Sequence, residues 1–105
     1  MPIVNVSVSS TGMISCSPDP VPVSGANATI TFNLHTSGYA FPSNAAIVVS
    51  NPGSQFPNPS TTASSILVTL FDVNSDSNSY KYTVTLVDTS DNSQLSLDPT
   101  IENGR

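Results

Sequence analysis

Four oxygen-bearing side chains alternate along one short polar stretch: Asp72, Asn74, Asp76 and Asn78. Carboxylate and amide oxygens at every second position of a turn are a donor set for a hard cation, and calcium takes about six to eight such ligands. Two positions depart from that chemistry. Ser77 stands where a calcium loop needs glycine for its sharp turn, and Thr83 stands where it needs a bidentate glutamate. Asp72, Asn74 and Asp76 are therefore candidate calcium ligands, to be weighed against a plainer polar turn in which Asp76 braces the next strand.

Other reactive side chains are few. His35 is the sole histidine and Cys16 the sole cysteine. A blue-copper centre needs a pair of histidines beside its cysteine, so that chemistry fails by count. A Ser-His-Asp triad can be drawn from any of the many serines, which is why drawing one carries no weight. No Gly-x-Ser-x-Gly elbow is present to expose a nucleophile. Cys16 has no neighbouring cation in sequence to stabilise a thiolate and reads as a small apolar residue. A single cysteine also rules out an intrachain disulfide.

Charge narrows the partners. Of 105 residues only 9 % are charged, and the formal net charge is −5 with two basic side chains, Lys81 and Arg105. A nucleic-acid binder needs cations to displace phosphate counterions, so nucleic acid is excluded, and anionic membrane surfaces with it. No cofactor is implied, and the one metal to consider is the calcium above. The opening MPIVNVSVSS lacks the cationic region and long apolar run of a signal peptide. No stretch approaches the ~20 apolar residues of a membrane-spanning helix. Compartment is not written in the chain.

What must position these residues is a set of strands. Ile66, Val68 and Leu70 alternate with Leu67, Thr69 and Phe71, and Tyr80, Tyr82, Val84 and Leu86 share one face opposite Lys81, Thr83 and Thr85. A two-residue period with β-branched and aromatic residues is the pattern of a half-buried strand. The same reading gives strands at Ile3 to Val8, Ala28 to His35 and Ala46 to Val49, and a last one at Leu95 and Leu97 closed by Asp98-Pro99. Pro18, Pro20 and Pro22 confine their segment to a kinked edge, with Val21 and Val23 touching the core. Gly38 to Pro42 and Asn51 to Ser60 read as loops. At 37 % hydrophobic content the chain has enough apolar material for one folded domain over 1–105.

Asp76, Tyr80 and Tyr82 stand at the spacing of the tyrosine corner, in which a phenol at the start of a strand bonds backbone near the preceding turn. On that feature the chain resembles immunoglobulin-like domains. The run SPDPVPVSGANATITF and the closing Asp98, Pro99, Ile101 and Asn103 are similar to short bacterial sandwich proteins of that kind. The resemblance implies an all-β, Ig-like antiparallel two-sheet sandwich of about seven or eight strands, without a disulfide. It also implies that Asp19, Asp98 and Glu102 share a pole with Asp72 and Asp76. Some bacterial surface Ig-like domains cross-link a buried lysine to asparagine, but the period turns Lys81 outward. The expected core is Ile30, Phe32, Leu34, Ile47, Val49, Ile66, Val68, Leu70, Tyr82, Val84 and Leu86. The function to expect is a non-catalytic binding or structural module for a protein or glycan. Its contact patch would be the aromatics Tyr39 and Phe41. The alternatives are a calcium-stabilised adhesion-type domain and, from another class, a small hydrolase using His35.

Overall fold

Side-chain alternation sets almost every strand in the computed structural model, which describes residues 2–104. The strands are β1 (Ile3–Val8), β2 (Ile14–Ser17), β3 (Val21–Ser24), β4 (Ala28–Leu34), β5 (Tyr39–Ala40), β6 (Ile47–Val49), β7 (Thr61–Ser64), β8 (Leu67–Asp72), β9 (Ser79–Asp88), β10 (Gln94–Leu97) and β11 (Thr100–Gly104). No helix occurs among the described residues. Two sheets face each other. The first runs β2-β1-β4-β8-β7. The second is built on β9, with β10 and β11 along one side, β3 beyond β11, and β5 and β6 along the other side.

Two features differ from the expected layout. Eleven strands form rather than seven or eight. β10 ends before Asp98-Pro99 as expected, but a further strand, β11, follows; β5 forms inside a segment read as loop, and β7 forms just after the loop read over Asn51 to Ser60. Nor is the pairing wholly antiparallel, since β1 runs parallel to β4 and β3 parallel to β11. β1 thereby lies between β2 and β4.

The core fills the space between the sheets. Ile30, Phe32, Leu34, Ile47, Val68, Leu70, Tyr82, Val84 and Leu86 are all buried, as their alternation requires, and Val49 packs against them from a half-buried position. Phe32 and Tyr82 meet edge to face across the layers with centroids 5.5 Å apart, a favoured aromatic geometry. Ile66 is the exception at 55 % exposure. It sits in the turn before β8, where the chain has not yet taken up the strand's period. Val4, Val6 and Val8 of β1, Val21 and Val23 of β3, Phe56, and Ile101 of β11 complete the interior.

Candidate functional site

The alternating acids do not form a solvated loop. β8 carries its inward register past Leu70, so Asp72 and then Asn74 fall on the inner face and are fully buried. Asn74 adopts a left-handed φ of 52°, which asparagine tolerates better than most residues. Its amide donates to the carbonyls of Gly25 at 2.9 Å, Val23 at 3.3 Å and Gly104 at 3.4 Å, and its Oδ1 accepts from the Gly104 N–H at 3.1 Å. One side chain thus ties the end of β3, the Gly25 turn and the end of β11 to the β8–β9 connection.

Two residues that sequence reasoning missed close the cluster. Gln55, from the long loop after β6, accepts from Ser75 N–H and donates to Ser75 Oγ, both at 2.7 Å, while its own carbonyl accepts from Val73 N–H at 2.8 Å. Asn103 of β11 donates from Nδ2 to Asp76 Oδ1 at 3.0 Å and Asp72 Oδ1 at 3.2 Å. Asp72 Oδ1 also accepts from Asn74 N–H at 2.9 Å. The period-two step from Ile101 places Asn103 inside and was the available signal for it. Nothing in the composition around Gln55 marks it.

Asp76 lies at the outer end. Its carboxylate accepts from the Tyr80 hydroxyl, from Asn78 N–H and Nδ2, and from Asn103. The Tyr80 phenol, more than any other donor, holds that carboxyl below its usual range, and the same bond raises the phenol. The corner is therefore made with a side-chain carboxylate rather than with backbone. Asp72 behaves in the opposite way: burial pushes its carboxyl up, against the donors on Oδ1. Its Oδ2 and Asn103 Oδ1 have no hydrogen-bond partner among the described residues.

Asp72, Asn74 and Asp76 do come together, but both Asp76 oxygens and Asp72 Oδ1 already accept from protein donors, and the Asn74 oxygen serves Gly104. One free carboxylate oxygen falls far short of the ~6 oxygens calcium requires. Asp19 and Asp98 lie elsewhere. Asp19 accepts from Thr100 N–H at 3.0 Å, and Asp98 Oδ1 accepts from the Thr83 hydroxyl at 2.7 Å. Among the described residues no three His, Cys, Asp or Glu side chains are placed to share a metal ion.

The aromatic patch is corrected. Phe41 is buried at 4 % exposure, and Tyr39, paired with Asp88 in β5, is half-buried against the core. The segment is laid along β9 as a strand instead of looping out, which turns Phe41 inward. His35 is exposed after β4, its Nε2 at 2.8 Å from Asn5 Oδ1. Cys16 is half-buried, and burial first of all pushes its thiol up to about 11. Lys81 is exposed, and its ammonium donates to the Asp98 carbonyl at 3.3 Å.

A recess beside β6 is an apolar concavity. It measures about 390 Å³ and has buried Ile47, Phe56 and Leu70 among its walls, with Val48, Val49, Pro52, Pro57 and Pro59 around its mouth. Asn44, Asn58 and Ser60 supply its polar groups, and no charged residue lines it. The Gln55 bonds pin the middle of the proline loop to the β8–β9 turn, and Ser60 Oγ accepts from Ile47 N–H at 3.3 Å at its end. The loop is thus tied to β6 at Ser60 and drawn toward the β8–β9 turn at Gln55, with the recess between the two attachments. No protein-family model and no curated protein matches the chain.

Proposed function

We propose that this chain is a non-catalytic binding module on an immunoglobulin-like frame, and that the recess beside β6 receives its partner. The observation that carries the reading is a preformed apolar cavity with a pinned rim, in the size range of about 300–1,000 Å³ that ligand sites occupy. Its lining favours a protein partner over a glycan, because sugar hydroxyls need a denser set of donors and acceptors than two asparagines and a serine provide. A lining without any titratable group supports binding rather than acid–base chemistry. The two-sheet all-β arrangement supports the immunoglobulin-like frame, with Tyr80 bonding a carboxylate where the family's corner bonds backbone.

Indole is a suitable probe of the cavity. Titrated into ¹⁵N-labelled protein, it should produce saturable shifts confined to residues 44–49 and 56–60. Val48→Asp places a charge at the mouth from a side chain that is 50 % exposed, and should abolish those shifts while leaving the rest of the spectrum in place. Shifts that scatter over the molecule or never saturate would overturn the reading.

A further inference from the structure

We infer that the partner enters as an extended strand that adds to the free edge of β6, with one apolar side chain in the recess and basic residues on either side. This deepens the function proposed above and rests on it.

The backbone of β6 supplies the first argument. β6 pairs antiparallel with β9 in the register Ile47↔Val84, Val48↔Thr83 and Val49↔Tyr82. The flanking bonds run from Thr85 N–H to the Ala46 carbonyl and from Ser50 N–H to the Lys81 carbonyl. Antiparallel ladders alternate, so Val48 bonds toward β9 while Ile47 and Val49 turn their backbone groups outward. Of those, Ile47 N–H is taken by Ser60 Oγ. The Ile47 carbonyl and both backbone groups of Val49 make no hydrogen bond within the described residues. Unpaired donors and acceptors on an edge are a template for another strand.

The β3 and β7 edges carry protecting features, and the strand residues of β6 carry none. β3 carries Pro22, and β7 is polar and interrupted by a bulge between Thr62 and Ser64. β6 reads Ile-Val-Val, with no proline, no charge and a half-exposed Val48. In strand addition the main chain supplies affinity and an adjacent pocket supplies specificity. β6 has both, because its own residues line the recess. Charge sets the flanks. The lining is neutral and suits an apolar anchor, whereas the chain's net charge of −5 attracts a cationic segment at longer range.

The test is a ¹⁵N titration of the full chain with an acetylated, amidated Lys-Val-Phe-Val-Lys peptide. Saturable shifts are expected at residues 47–49 and 57–60, with slowed hydrogen exchange at the Val49 amide. The same peptide N-methylated at its three central residues keeps every side chain and loses the donors, and should bind about tenfold more weakly. Val49→Pro deletes the outward N–H without removing a bond to β9, and should show the same loss with the fold retained. Equal binding of both peptides, or binding of indole but of neither peptide, would overturn strand addition and leave the recess standing. Failure of indole and both peptides would overturn both readings. Concentration-dependent broadening at residues 47–49 without peptide would assign the edge to a second copy of the chain and overturn the partner inferred here.

Discussion

Replacing Asp72 by asparagine should stabilise the protein, although it alters a fully buried side chain with two hydrogen bonds. The reason is the imbalance at the two carboxyl oxygens. Oδ1 accepts from Asn74 N–H and Asn103 Nδ2, and an asparagine Oδ1 keeps both. Oδ2 is buried with no donor, beside an Asn103 whose own Oδ1 also lacks one. The new amide puts N–H groups where the orphan acceptor stood. A buried polar atom left unsatisfied costs about 1–3 kcal/mol. Relief of part of that, about 1 kcal/mol, corresponds to a Tm increase of about 5 °C for a domain of this size. The pH dependence tests the cause. The folded-state pKa of Asp72 is raised by burial, so the penalty is absent below the unfolded value of about 3.9 and grows as pH rises from there through the folded pKa. Urea melts of parent and Asp72→Asn from pH 3 to 7 should diverge with rising pH and converge at the acid end. A variant destabilised by more than about 1 kcal/mol, by the same amount at every pH, would refute the reasoning. If millimolar calcium then raised the parent Tm by several degrees and not the variant's, the missing donor would be a cation.

Asn74→Ala should cost about 3 kcal/mol or more in denaturant melts, because it strands buried backbone groups and places alanine at a left-handed φ; Asn74→Gly should recover only the conformational part. Tyr80→Phe should lower stability at neutral pH, and the difference from parent should shrink as pH falls through the depressed pKa of Asp76, since the bond matters while that carboxylate is charged. Phe41→Ala should cost about 3–5 kcal/mol as a core truncation, and a near-neutral result would restore it to the surface.

Where the strand period ran uninterrupted, the sequence was easy to read. Phe32, Val68, Tyr82 and Val84 lie where alternation puts them, and the two-sheet all-β architecture follows. Alternation fails at chain reversals, as at Ile66, and says nothing about which strands become neighbours; the parallel placement of β1 beside β4 depends on pairing that no local pattern encodes. At the candidate site the difficulty was polarity. Asp72, Asn74 and Asn103 obey the strand period, but polar residues between Asp and Ser read as solvated turn. Their burial depends on partners such as Gln55 and the Gly25 carbonyl, which arrive from distant parts of the chain. The recess was invisible for the same reason, since its walls come from separate segments and its opening depends on how the proline loop is pinned.

The position of β1 has a consequence for how the first sheet is assembled. A terminal strand at the rim of a sheet can be lost with little effect on the rest, but β1 fills a slot between two others and contributes Val4 and Val6 to the interior. Removing residues 2–8 would leave β2 and β4 facing each other across an empty strand's width, each with a bare row of backbone groups. That gap is too wide for β2 to bridge by hydrogen bonds, because it spans two strand spacings of about 4.8 Å. It has the length, register and apolar lining to accept an identical segment from another molecule. A shortened chain would therefore draw in the first strand of an intact copy and leave that copy open in its turn, and the hairpin of β1 with β2 is what holds the strand within its own molecule.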